Sequence, residues 1–145
     1  MILGFTGTRE EPTSEQKRHL LEYILENIPT EFHHGCCVGS DEFSHRVAKS
    51  CLDLGLEQIV LHPPDKTRFE MAYTDWDYTN CVWWPKKPYL DRNSDIIREA
   101  DKMIALPKGI VEEMRGSGTW STIRHTLDAK KPLVIIWPDG KIEEK

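Results

Sequence analysis

The chain lacks the features that mark several large classes of protein. No apolar run approaches the roughly 20 residues that a membrane-spanning helix needs. The opening Met1-Ile2-Leu3-Gly4-Phe5 is apolar, but no basic stretch precedes it and no cleavage site follows it, so it reads as a first strand and not as a secretory leader. Positive charge is not in excess either. The 19 Lys and Arg against 24 Asp and Glu leave a formal charge of −5, which argues against a general nucleic-acid binder with a basic face. The pairs Lys86-Lys87 and Lys130-Lys131 are too short to reverse that. Cysteine is sparse, and Cys36, Cys37, Cys51 and Cys81 form no C-x-x-C pair and no secreted-type framework. These absences together lead us to expect a cytoplasmic protein with reduced thiols, no membrane partner and no strong nucleic-acid signal.

A metal is not expected. His33-His34 and Cys36-Cys37 bring four ligand types close in sequence, but adjacent strand residues point to opposite faces and do not readily converge on one tetrahedral ion. No resident cofactor is implied by any motif.

What the chain does contain is alternation. At 145 residues it is most simply one domain spanning 1–145, able to bury about two-thirds of its unfolded surface. Strands are expected at Ile2 to Thr6, Glu31 to His34, Gln58 to His62, Lys102 to Leu106 and Leu133 to Trp137. Between them, helices are expected at Ser14 to Ile28, with Thr13 or Ser14 as cap, at about Glu42 to Leu54, at about Arg92 to Ala100, and at Ile123 to Ala129. Residues 65 to 88 have no clear period and read as an irregular, aromatic-rich insertion. The charged tail Lys141 to Lys145 reads as frayed. Strands alternating with helices give parallel βαβ units with right-handed crossovers. The expected fold is therefore α/β, a doubly wound, Rossmann-like parallel sheet of about five strands in the order 3-2-1-4-5.

In such a sheet ligands bind beyond the carboxyl ends of the strands, where the winding reverses. Here that lies between strands one and four, and three glycine-bearing junctions fall there. Gly7-Thr8-Arg9 follows the first strand; Gly7 permits close backbone approach and Arg9 can bind phosphate bidentately. Gly35 to Asp41 follows the second; Gly39-Ser40-Asp41 opens a helix, and Asp41 either caps it or accepts from sugar hydroxyls. Gly116-Ser117-Gly118-Thr119 follows the fourth, a phosphate-binding loop whose N–H groups and helix end suit an anion, or a plain turn in which Ser117 or Thr119 caps the helix. Arg92-Asn93 opens the helix before strand four; Asn93 can donate and accept, and the alternative is pairing with Asp91 or Asp95. The segment Phe69 to Tyr89 holds Tyr73, Trp76, Tyr78, Trp83, Trp84 and Tyr89, which serve either as a lid over a base or as an interface between subunits.

These motifs, Gly4-Phe5-Thr6-Gly7-Thr8-Arg9, Gly35-Cys36-Cys37-Val38-Gly39-Ser40-Asp41, Arg92-Asn93 and Gly116-Ser117-Gly118-Thr119, resemble those of the SLOG superfamily, which includes DprA/Smf-like, YpsA-like and LOG (lysine-decarboxylase-like) proteins. The small YpsA-like members are the nearest in appearance. The resemblance spans nearly the whole chain apart from residues 64 to 90. It implies a Rossmann-like domain binding a nucleotide or nucleotide-derived ligand, such as an ADP-ribose-type or cyclic signal, in a homodimer or larger homo-oligomer. Some LOG members hydrolyse the N-glycosidic bond of nucleoside monophosphates through a P-G-G-x-G-T-x-x-E motif. Thr122 stands at the glutamate's position here, so no catalytic residue is assigned. An acid for an N-glycosidase would have to come from Asp75, Asp77, Glu112 or Glu113. A non-enzymatic protein-interaction module is the third alternative.

Overall fold

A computed structural model describes residues 1–72 and 79–145. Its sheet has the order β4-β3-β2-β1-β5-β6-β7. The five expected strands are β1 (Ile2–Gly7), β2 (Glu31–His34), β3 (Gln58–Leu61), β5 (Lys102–Leu106) and β6 (Leu133–Ile136), and they lie side by side in parallel. β1 is central, with Leu3 opposite Phe32 on one side and Lys102 on the other.

Two strands exceed the expected count. β4 (Cys81–Trp83) adds to β3 in parallel inside the segment read as irregular; three residues are too few to show a period. β7 (Ile142–Glu144) pairs antiparallel with β6, so the tail read as frayed is part of the sheet. The reversal is made by Pro138-Asp139-Gly140, with Gly140 at φ +90° and its N–H bonded to the Trp137 carbonyl at 2.7 Å. Among the described residues the sheet is thus seven-stranded and mixed at one edge.

The strands carry apolar residues on both faces, and the faces sort by the period of two. On β5 and β6, Ile104, Leu106, Val134 and Ile136 pack with Leu20, Tyr23 and Ile24 of α1 (Ser14–Glu26) and Val47 and Ala48 of α2 (Ser40–Ser50). Met103, Ala105, Leu133 and Ile135 face the other way, onto Ile96 and Ile97 of α3 (Tyr89–Glu99) and Trp120 and Ile123 of α4 (Gly118–Asp128). Each buried Val, Leu, Ile or Met side chain among these contributes roughly 1.5–3 kcal/mol.

Helix ends differ from the expected ones where local chemistry outweighs the apolar pattern. α1 starts as expected, on a capping box in which the Gln16 N–H donates to Thr13 Oγ1 at 3.0 Å and the Thr13 N–H donates to Gln16 Oε1 at 3.1 Å. Gln16 Nε2 also donates to the carbonyls of Pro107 at 2.8 Å and Ile136 at 3.0 Å, tying α1 to the ends of β5 and β6. α2 begins at Ser40 and gives way to a 3-10 turn, Leu52–Leu54, instead of running from 42 to 54. α3 begins at Tyr89, directly after Pro88. α4 begins at Gly118, five residues before the expected start, because Ser117 caps a first turn whose glycine conceals it.

Candidate ligand-binding crevice

The loops after β1, β2 and β5 meet at the carboxyl edge of the sheet around a crevice of about 230 Å³. Gly7, Thr8, Arg9, Gly35, Asp41, Arg92, Asn93, Gly116, Ser117, Gly118 and Thr119 all line it. Gly39 and Ser40 do not. Gly39, at φ +82°, is the N-cap of α2 and packs against the Arg9 carbonyl, while Ser40 is fully buried behind Gly7. Their part is to bring α2 against β1.

That approach is backbone-led. The Thr8 N–H donates to the Leu106 carbonyl at 2.9 Å, and the Ser40 N–H donates to the Thr8 carbonyl at 3.0 Å, so one residue joins β5, β1 and α2. A Cβ on Gly7 would overlap the Ser40 side chain. Glycine serves here through its lack of volume.

Arg92 is 5% exposed and faces inward. Its Nη1 donates to the Gly35 carbonyl and, at 3.2 Å, to the His62 carbonyl; Nη1 and Nη2 both approach Cys37 Sγ, at 3.8 and 3.9 Å. It pairs with neither Asp91 nor Asp95; Asp95 is taken by Lys87 at 2.7 Å and Arg98 at 2.9 Å. Arg92 Nε donates to Asn93 Oδ1 at 2.8 Å, which fixes the amide so that Nδ2 is left toward Gly118. Asn93 therefore presents donors to the crevice.

Asp41 is not the N-cap. It sits in the first turn of α2 and reaches back to accept the Cys37 N–H at 3.1 Å. Burial raises its pKa to about 6, against the opposing pull of Arg92, the Cys37 N–H and Arg9. A Cβ on Gly35 would lie 3.0 Å from Asp41 Oδ2 and 2.7 Å from Arg92 Cζ, so only glycine leaves room for both.

Arg9 rests on aromatic rings, its guanidinium carbon 4.0 Å from the Phe69 centroid and 4.5 Å from that of Tyr89. Among the described residues no carboxylate pairs with it. Phe69 is held in turn by its carbonyl, which accepts the Val38 N–H at 2.9 Å.

Ser117 Oγ accepts the Trp120 N–H at 3.2 Å, so the capping role expected for it is present, beside the open N-terminal turn of α4. Thr122 lies outside the crevice lining, 2% exposed, with Oγ1 donating to the Gly118 carbonyl at 2.8 Å. Of the four possible acids, Glu113 lines the crevice, and its carboxylate stands 3.9 Å from the ammonium of Lys108, which also lines it. Glu112 is engaged by Arg124 at 3.1 Å. Asp75 and Asp77, with Tyr73, Trp76 and Tyr78, lie outside the described residues.

Cys37 and Lys108 line the crevice as well, with no ligand reading from sequence, and so does Tyr89, from the aromatic segment expected to serve as a lid or as an interface. Cys37 sits within the glycine-bearing loop, which was signal enough; burial pushes its thiol pKa up, and that of the neighbouring Tyr89 phenol likewise. Trp84 turns away from the crevice to pack on His62, with centroids 4.6 Å apart, and Trp83 is exposed.

The histidines divide between the two faces of β2. His33 Nδ1 meets His62 Nε2 at 2.9 Å, and its Nε2 meets Glu31 Oε1 at 2.9 Å. His34 Nδ1 accepts the Cys36 N–H at 3.0 Å, which places its proton on Nε2, directed at His45 Nδ1 2.8 Å away. Burial lowers the pKa of both His34 and His62, the latter to about 3. Among the described residues no group of three or more His, Cys, Asp and Glu gathers as a metal site.

No protein-family profile matches the chain, and no curated protein matches it. Solved structures do. A molybdenum cofactor binding protein from the phototrophic bacterium Rippkaea orientalis superposes with a TM-score of 0.65 and 20% identity, over 94% of this chain and 76% of that one. The X-ray structure of TM1055, a structural-genomics target, superposes with a TM-score of 0.61 and 18% identity, over 91% and 71%. At these identities the likeness establishes the Rossmann-like α/β fold and nothing finer. Among the described residues no helix is long and apolar enough to cross a membrane.

Proposed function

We propose that the chain is one SLOG-like ligand-binding domain that takes a nucleotide or nucleotide-derived ligand in this crevice. The observation that carries the reading is the convergence of the Gly7, Gly35 and Gly116 junctions on one cavity at the switch point of the sheet. Its polar groups suit a phosphate. The first N–H groups of α4 are uncommitted to the helix, Asn93 offers donors, and Arg9 and Lys108 supply positive charge. A fold neighbour being a molybdenum cofactor binding protein supports a small-molecule ligand. The reading extends to a cytoplasmic homo-oligomer, supported by exposed Ile110, Val111 and Met114 beside the crevice and by four cysteines that form no disulfide among the described residues.

Calorimetric titration with nucleotides, cyclic nucleotides and ADP-ribose should give saturable binding to at least one, weakened by Arg9→Ala. Silence across the panel would sink the proposal.

An N-glycosidase is the second reading, favoured only by Glu113 in the crevice wall. The carboxylate it needs at position 122 is a threonine whose hydroxyl is committed to Gly118. Incubation with nucleoside monophosphates and chromatography for free base decides between them, and base release would establish the enzyme.

A further inference from the structure

The aromatic segment that begins at Phe69 and ends at Tyr89 closes on one side chain. Its two end rings have their centroids 4.0 and 4.5 Å from the guanidinium carbon of Arg9, within reach of cation–π attraction. Trp84, inside the segment, packs on His62 instead.

Both rings are fixed from behind. The Val38 N–H donates to the Phe69 carbonyl at 2.9 Å and the Met71 N–H donates to the Cys36 carbonyl at 2.8 Å, with Cys37 bridged antiparallel to Glu70. Residues 69 to 71 are thereby pinned to the loop after β2, and Met71 is buried with Cys36 and Leu61. Tyr89 is the first residue of α3, and 5.1 Å from its ring lies the guanidinium of Arg92, itself bonded to the Gly35 carbonyl. The Arg9 backbone is held as well, its carbonyl packed against Gly39 at the N-cap of α2.

Charge singles out Arg9. Arg9, Arg92 and Lys108 line the crevice, and so do Glu10, Asp41 and Glu113, so the lining carries no simple excess of positive charge. Arg92 commits its N–H groups to the Gly35 and His62 carbonyls and to Asn93. The Lys108 ammonium lies 3.9 Å from the Glu113 carboxylate. A ring holds a guanidinium without occupying its N–H donors as a carboxylate would, so the planar fork of Arg9 stays available to an oxyanion. Phe69 is not part of the lining, so it acts on a ligand through Arg9. Arg68 also approaches the Phe69 ring, at 4.3 Å, and is likewise outside the lining.

We propose that Phe69 and Tyr89 are positioning residues that hold the Arg9 guanidinium at the crevice as a preformed bidentate receptor for the phosphate of the nucleotide ligand. This rests on the nucleotide reading above. It gives the two ends of the aromatic segment a role other than stacking on a base or joining subunits. A side chain already held in its bound geometry loses less freedom on binding, which appears as tighter affinity.

Calorimetry with AMP on the whole chain tests this through a double-mutant cycle. Phe69→Leu keeps an apolar side chain and should weaken AMP binding roughly three- to fivefold. In an Arg9→Ala background the same change should matter by less than about twofold. An equal loss in both backgrounds, or no loss in either, overturns the inference. Ribose 5-phosphate, which has no base, should show the same loss as AMP; a loss confined to AMP means stacking on the base and also overturns it. A second measurement needs neither ligand nor a Phe69 variant. In NMR spectra of the wild-type chain, the Arg9 Nε–H and δ-methylene signals, identified by their loss in Arg9→Lys, should lie upfield of ordinary arginine positions because they sit against two rings. Ordinary positions overturn the inference whatever AMP does. AMP and ribose 5-phosphate failing to bind wild type while the upfield shifts are present overturns the nucleotide reading, and with it the receptor role.

Discussion

The Arg92 guanidinium is bonded to the carbonyl of Gly35, 57 residues earlier, and so joins α3 to the loop after β2. A sequence motif that looks like a ligand-facing arginine is first a structural tie. Replacing it with methionine would leave the Gly35 and His62 carbonyls without their donor and the Asn93 amide free to rotate. We expect Arg92→Met to lose about 2–4 kcal/mol in urea denaturation, well above a surface arginine. A loss below about 0.5 kcal/mol would mean the bonds are not formed in solution.

The glycines separate into those that make room and those that do not. A methyl on Gly7 would overlap Ser40 and push α2 from β1, whereas one on Gly109 meets nothing within 4 Å. Gly7→Ala should cost about 1–3 kcal/mol and weaken ligand binding, since Asp41 travels with α2. Gly109→Ala should be neutral within about 0.5 kcal/mol. Thermal melts of the two variants side by side settle the contrast, and equal melting temperatures would refute it.

How much of this was legible beforehand follows from where the signal lies. Runs such as Met103-Ile104-Ala105-Leu106 and Leu133-Val134-Ile135-Ile136 are buried on both faces, so their strands and the alternation around them can be read directly. The Gly7 junction was readable for the same reason, because it ends an apolar strand; the Gly35 and Gly116 junctions show instead as glycine-bearing turns that lead into an expected helix. β4 and β7 were not: each has three residues, and β7 carries two glutamates at an exposed edge. Asp41 and Arg92 were marked as contacts, but their directions were hidden, since those depend on Cys37 and on His62, which are distant in pattern or in chain. Gln16 has a signal in the capping box, but its bonds to Pro107 and Ile136 have none.

Arg124 holds the loop that forms one crevice wall. Its Nη1 donates to Glu112 Oε2 at 3.1 Å and to the Glu113 carbonyl at 3.0 Å, beside Met114 Sδ at 4.0 Å. The loop has little else to hold it, with Ile110, Val111 and Met114 all at least 70% exposed. Arg124→Ala should speed tryptic cleavage after Lys108 and Arg115 several-fold while changing global stability by less than about 1 kcal/mol. Unchanged cleavage rates, read by mass spectrometry, would count against the latch.

The last prediction concerns pH. Asp41 titrates at about 6 in the folded chain against an ordinary value of 3.8. Between those values the folded state holds a proton that the unfolded state has released, so this group's contribution to stability falls as pH rises from about 4 to 6 and is fully lost above. The difference of about two units corresponds to at most about 3 kcal/mol. The groups that face it are Arg9 from the β1 loop, Arg92 from α3 and Cys37 from the β2 loop; the two arginines favour its ionised form and moderate the effect. His34 and His62 act in the opposite sense, since both are held neutral by burial and the unfolded chain takes up their protons as pH falls below about 6.5. Wild-type stability is therefore the sum of opposed slopes, and the Asp41 part is isolated only by difference. Asp41→Asn should gain stability relative to wild type as pH is raised from about 4.5 to 7.5, by up to about 3 kcal/mol in urea denaturation. A difference that stays flat across that range would show that Asp41 is ionised throughout and that its burial has been compensated by the arginines.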